Sequence, residues 1–254
     1  MSFQRYVAIG DSTTEGLDDP DGRGGFRGWA NRLAERLAAA NGGVAYANLG
    51  IRGLRTRQIR DTQLGIALAM RPDIVTVVSG TNDLLGFSFD VRAFARDAGE
   101  MQRAFRDTGA TVLTFTLPDV SRIMPIARPF RSRLLRMNDA LREVSARTGT
   151  RLVDFSAHPS ALDLRLWSDD RLHANALGHE RIAAALAHAI ELPGADASWR
   201  EPLDGARRRR IGEAVAAELA WTRRHLAPWI WRHLRGRSSA DGRVPKRPAL
   251  EPWR

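Results

Sequence analysis

Along the first 190 residues, short β-branched runs alternate with longer amphipathic stretches, and nothing else in the chain narrows its fold as much. The clearest run is Ile74-Val-Thr-Val-Val78, dominated by β-branched apolar residues as a strand covered on both faces should be. Residues 6–9, 44–48, 111–116 and 151–155 read as four further strands. Helices are predicted over 28–40, 56–70, 90–108, 131–148 and 175–190. In the first of these Trp29, Leu33 and Leu37 share a stripe, and Asn41-Gly42-Gly43 is a stop signal. Five strands separated by helices predict an α/β fold with an open parallel sheet wrapped on both faces. Such sheets hold their ligand sites at the carboxyl ends of the strands, so chemistry is expected just after each one.

Composition limits the chemistry available there. The 254 residues contain no cysteine, which excludes disulfides, thiolate metal sites and a Cys nucleophile. No run of about 18 apolar residues exists, so no membrane-spanning helix is expected. The start lacks the basic end and the apolar run of roughly 7–15 residues that a secretory signal needs, so a cytoplasmic location is expected. Charge is uneven: residues 1–194 hold 25 Lys and Arg against 22 Asp and Glu, while residues 195–254 hold 14 against 7. Five of the seven tryptophans also fall in that last quarter. A boundary is therefore placed near Pro193-Gly194, between a near-neutral domain (1–194) and a basic, Trp-rich extension (195–254).

Four segments at strand ends carry groups able to do chemistry. Gly10-Asp11-Ser12-Thr13-Thr14-Glu15-Gly16 presents a serine in a Gly-flanked turn before a helix, although a serine there can equally be a helix cap. Asn48-Leu-Gly50-Ile-Arg-Gly53 places two glycines where a bare N–H could meet a ligand; turns use such glycines more often. Ser79-Gly80-Thr81-Asn82-Asp83 offers a side-chain amide to a developing oxyanion, or simply caps a helix. Asp170 and His173 are three residues apart, a spacing that in a helical or 3₁₀ turn puts both on one face.

Together and in this order, the four segments resemble the SGNH hydrolases, the GDSL-type esterases and lipases, over about residues 5–192. Two departures stand out. The first block reads Gly-Asp-Ser-Thr in place of Gly-Asp-Ser-Leu, and Asp169 beside Asp170 adds a second carboxylate that could compete for the imidazole. The resemblance implies a flavodoxin-like three-layer α/β/α sandwich on a five-stranded parallel sheet. It also implies a serine hydrolase acting on carboxylic esters of small or medium acyl groups through an acyl-enzyme, with Ser12 as nucleophile, His173 as base and Asp170 orienting the imidazole. The implied oxyanion hole comprises the Ser12 N–H, the Gly53 N–H and the Asn82 amide, Gly53 being preferred to Gly50 on family spacing from Asn48. No metal or organic cofactor is implied. Lysophospholipase, thioesterase and carbohydrate O-deacetylase activities stay open within hydrolases. A non-catalytic scaffold that binds an anionic surface is the rival from outside the class.

Other features are read conservatively. Asp18-Asp19-Pro20-Asp21-Gly22 resembles a calcium loop only superficially, since the twelfth position is Gly28 where a Glu is required. His158 and His179 lack a carboxylate at triad-like spacing, and His179 reads as structural. Leu84, Leu85, Phe87 and Phe89 either wall an acyl site or pack the next helix. Arg207–Arg210 reads as a solvated helix face, so no nucleic-acid partner is expected. The extension reads as an amphipathic helical arm from Ile211, bent at Pro228, with an irregular tail past Gly236. Its apolar stripe suits self-association or docking on the domain, with peripheral contact to an anionic membrane as the alternative. All four catalytic segments precede Pro193, so a chain ending near Leu192 is expected to keep some small-ester activity.

Overall fold

The computed structural model describes residues 2–86, 88–205, 240 and 242–253. Six strands form one sheet in the order β5-β4-β3-β1-β2-β6. The first five are β1 (Arg5–Gly10), β2 (Val44–Asn48), β3 (Ile74–Val78), β4 (Thr111–Phe115) and β5 (Arg151–Val153), and all of these run parallel. The chain leaves β1 first to one side and then, after β2, crosses to the other. The carboxyl ends of β1 and β3 therefore flank a topological switch point, where open sheets leave a crevice.

All five residues of β3 are buried, as its run of apolar side chains anticipates. Side chains alternate across the sheet and feed two cores. Tyr6 and Ala8 join Trp29, Leu33, Leu37 and Leu186 on one face. Val7, Ile9, Val75 and Val77 join Ile59, Met101 and Phe105 on the other. Each fully buried large side chain of this kind contributes roughly 1.5–3 kcal/mol. Helix ends follow local chemistry. Asp90 and Asn175 cap the helices Val91–Asp107 and Ala176–Ala189 with their side chains, while left-handed Gly42 and Gly149 close Gly28–Asn41 and Arg131–Thr148. The predicted helix 56–70 is helical but not uniformly α. A π turn over Arg60–Leu64 separates Thr56–Ile59 from Gly65–Ala69, a widening that periodicity alone does not reveal.

The sheet has six strands, not the five expected. Arg247–Trp253 forms β6, antiparallel to β2, where the sequence suggested an irregular tail. Two prolines and alternating charge hide this strand, and an edge position tolerates both because one side of the backbone needs no partner. Trp253 meets Tyr46 edge-on with 5.5 Å between ring centroids, and the Arg247 guanidinium lies over both rings. Trp199 is buried in the first core. The predicted helical arm with its Arg207–Arg210 cluster, and the proposed membrane or self-association face, lie at 206–239, outside the described residues. Among the described residues no helix is long and apolar enough to cross a membrane.

Candidate active site

The turn after β1 brings the first group to the switch point. Asp11 caps the single helical turn Ser12–Glu15 by accepting from the Thr13 N–H, and Ser12 is the first residue of that turn. Gly10 permits a close approach that no side chain would: a Cβ there would lie 2.4 Å from the Val78 carbonyl. Gln63, buried in the π turn, accepts from the Gly10 N–H at 2.8 Å and donates to its carbonyl at 3.0 Å. The backbone leading into Ser12 is thus held on both sides.

The imidazole arrives from the other end of the domain. His173 Nε2 is 2.9 Å from Ser12 Oγ, and His173 Nδ1 is 2.6 Å from Asp170 Oδ2. The Asp170–His173 pair meets through a tight turn in which Arg171 takes φ 57°, not through a helical turn. Asp170 Oδ1 accepts from the N–H groups of Leu172 and His173 and from Ser168 Oγ, which no i,i+3 argument supplies. Burial would raise the Asp170 carboxyl, yet these donors and His173 hold it well below the usual range. Burial likewise disfavours the imidazolium, but Asp170 and then Asp18 and Asp11 outweigh it and raise His173 above its ordinary value.

The competing carboxylate is Asp18, not Asp169. Asp169 is exposed, whereas Asp18 Oδ2 lies 3.8 Å from His173 Nδ1 and accepts from Ser168 Oγ at 2.8 Å. Asp18 holds φ 66°, a conformation that Asp tolerates better than most residues and that aims this carboxylate at the imidazole. Its neighbours are committed elsewhere: Asp19 pairs with Arg32, and Asp21 accepts from the Arg23 and Gly25 N–H groups. Asp18, Asp170 and His173 bring ligand atoms within 4.8 Å of one another, so a metal ion could in principle be held there. A metal would have to displace the 2.6 Å bond between Asp170 and His173, and the donor set suits a proton carrier better.

The remaining segments converge on the same point. Asn48 donates to the Thr14 carbonyl and accepts from the Gly50 N–H, so the Gly50 N–H is occupied. Gly53 takes φ 83° and its N–H meets no acceptor among the described residues. Glu15 ties this loop to the Ser12 turn through the Arg52 N–H and guanidinium, and Asp83 accepts from the Thr56 N–H and hydroxyl. Asn82 Nδ2 donates to the Leu54 carbonyl at 3.0 Å and to Asp11 Oδ2 at 3.3 Å. Asp11 is fully buried, and burial pushes its carboxyl up to about 6, with Asp83 adding to the shift.

Three supporting residues escape sequence reasoning, Gln63, Asp18 and Lys246, while His179 reads as structural from the sequence but without its partners. His179 accepts from the Trp29 N–H and donates to the Leu17 carbonyl, and burial drops it to about 4. Lys246, the only lysine, donates to the Phe26 and Arg27 carbonyls, and burial lowers it to about 8. Only its status as the sole lysine could have drawn attention to it. Phe89 packs against Phe94 rather than walling the site, while Leu84 and Leu85 line a cavity beside it.

The GDSL-like Lipase/Acylhydrolase family matches residues 8–181. Among solved structures, the lipase/acylhydrolase from Enterococcus faecalis is similar at 25% identity and a TM-score of 0.60, covering 76% of this chain and 100% of its own. The acetylxylan esterase Axe2 of Geobacillus stearothermophilus is similar at 19% identity and a TM-score of 0.62, covering 78% and 96%. TesA is similar at 20% identity and a TM-score of 0.61, covering 74% and 98%. No curated protein matches the chain.

Proposed function

This chain belongs to the GDSL-like Lipase/Acylhydrolase family and is a carboxylic ester hydrolase, and from that premise we propose that it cleaves esters of small or medium acyl groups through an acyl-enzyme on Ser12. The observation that carries this reading is the unbroken hydrogen-bonded series Ser12 Oγ, His173 and Asp170, assembled from segments 161 residues apart. A serine hydroxyl is a poor nucleophile until a base lies within reach of its proton. His173 Nε2 takes that proton as Ser12 Oγ attacks the ester carbonyl, and returns it to the departing alkoxide. Asp170 fixes the imidazole tautomer and stabilises the cation formed in between. Water then repeats the sequence on the acyl-enzyme and releases the acid.

The negative charge on the carbonyl oxygen is met by the Ser12 and Gly53 N–H groups and by the Asn82 amide. Asn82 gives up its longer bond, the 3.3 Å contact to Asp11, and keeps the Leu54 carbonyl as its anchor. Each such donor typically contributes about 10²–10³ in turnover. The test is chemical. A fluorophosphonate probe is expected to add once, on Ser12, and Ser12→Ala to lose at least about 10⁴ in ester turnover with an unchanged melting temperature. Labelling at a different serine, or turnover that survives the substitution, overturns the assignment.

A further inference from the structure

A cavity of about 150 Å³ lies beneath the carboxyl ends of β3, β4 and β5. Its wall includes Thr13, Thr81, Leu172 and Ala174, the chain neighbours of Ser12, Asn82 and His173, which puts it beside the reacting groups. Toward β5 it reaches Phe155 and Trp199. Ser12 follows β1 and Phe155 follows β5, three strands along, which is about 14 Å at the usual strand spacing.

Most of the lining is apolar, and its longer polar side chains are committed to the protein. Arg131 and Ser121 bond to Asp119, and Arg181 donates to the Trp199 and Glu201 carbonyls. An engineered apolar cavity of comparable volume stays dry and takes up a six-carbon ring. A chain of hydrocarbon satisfies such walls, whereas a sugar, with a hydroxyl on most of its carbons, would find few partners beyond the Thr13, Thr81 and Ser160 hydroxyls to replace its water.

The far end is rigid. Trp199 is 6% exposed and meets Phe155 edge-on at 5.5 Å and His158 at 4.8 Å between ring centroids. Its indole N–H donates to His188 Nδ1, and Arg200 covers the ring. Phe155 rests edge-on against Phe115, and Phe115 against Trp29, so an aromatic series backs the indole into the first core. Trp199 lies beyond residue 181, where the family match ends.

We propose that this cavity receives the acyl chain of the ester, that it suits unbranched acyl groups of about six to eight carbons, and that Trp199 is the residue that sets this length. The proposal rests on Ser12 carrying the acyl group and names the acyl class for that site. One methylene in an apolar pocket changes specificity by roughly 10–200-fold at most, so a chain-length profile resolves the limit.

The experiment compares kcat/KM for p-nitrophenyl esters from C2 to C16, with fluorophosphonate labelling and melting temperature recorded for every variant. The full chain is expected to peak at C6–C8 and to fall at least about tenfold by C12. Trp199→Ala is expected to move the peak two to four carbons longer and Trp199→Phe to move it less, with C2 turnover and Ser12 labelling within about threefold. Ala161→Phe, which fills the cavity from another wall residue, is expected to abolish the C6–C8 peak and spare C2. It carries the test if Trp199→Ala does not fold. Normal labelling with a peak at C2, or folded variants with unchanged profiles, overturns the acyl site alone. Absence of labelling together with absence of turnover on every ester overturns the acyl-enzyme, and the acyl site with it.

Discussion

Two segments far apart in the chain grip the loop that follows the nucleophile turn, and they do so by different means. On one side the stretch 168–179, inside the family match, holds the loop through Ser168, His173 and His179, which touch Asp18 and Leu17. On the other side Lys246, outside that match and immediately before β6, holds it through the Phe26 and Arg27 carbonyls. The first grip includes His173, the base of the proposed proton path, while its His179 contact is structural. The second touches no reacting atom, yet β6 also buttresses Tyr46, whose hydroxyl accepts from Asn48, and Asn48 holds the Thr14 carbonyl. The comparison separates chemistry from positioning. Near the imidazole a change should alter turnover at constant stability, and near β6 it should alter stability first.

The sharpest break comes from the two adjacent aspartates. Asp170→Asn is expected to cost roughly 10³–10⁴ in kcat, because the imidazole loses both its tautomer and its counter-charge. Asp169→Asn, exposed and away from His173, is expected to stay within about threefold. Equal losses from the two substitutions would place the orienting carboxylate elsewhere.

The β6 side is tested by removing the grip. Lys246→Met leaves two part-buried carbonyls without a donor and is expected to lower stability by about 1–3 kcal/mol, with a smaller loss in kcat/KM. Denaturant melts beside C2-ester kinetics measure both. Ending the chain near Leu192 removes Trp199 and β6 together and uncovers the β2 edge and Tyr46. On these contacts the shortened chain is expected to aggregate or melt well below the full one, although every group of the proposed triad remains. A truncated chain of undiminished stability would show that the second grip is dispensable.

A pH-dependent difference separates the two sides further. His179 sits at about 4 when folded against about 6.5 when unfolded, so the unfolded chain binds more protons between those values. Its contribution is complete above about 6.5 and is lost as the pH falls toward 4. Asp11, raised to about 6, works in the opposite sense and regains stability over much of that window. His179→Gln can keep both hydrogen bonds without titrating. Its melting temperature is expected to fall less between pH 6.5 and 4.5, a difference worth roughly 1–3 kcal/mol.

The smallest expected effect lies at Asp18. Its carboxylate helps to raise His173, and the base must be neutral to act. Asp18→Asn is therefore expected to shift the acid limb of kcat/KM to lower pH, with the plateau within about threefold. A limb that does not move would make Asp18 a loop-forming residue only.

Much of the fold and of the proposed site was legible in the residues themselves, and the reason is local. β1 to β4 are short runs whose burial on both faces demands apolar side chains, so composition along the run is enough. The groups at their ends were ambiguous one by one, and Ser12, Gly53, Asn82, Asp170 and His173 could be named only because the four segments, in their order, resemble the SGNH hydrolases. What supports them was not legible. Gln63 acts from a π turn that apolar periodicity does not mark, and Asp18 reaches His173 across 155 residues of chain. β6 is an edge strand whose two prolines and two charged residues interrupt any apolar run, which is tolerated because only one side of its backbone is paired. The Phe155–Trp199 end of the cavity joins two segments with no sequence relation, and its depth depends on how the aromatic rings stack. Periodicity and turn chemistry act over a few residues and determined the strands and the helices, while the order of four short motifs pointed to the proposed reacting groups. Packing between distant segments has no local signature, and tertiary structure alone decided which side chains would hold those groups in place.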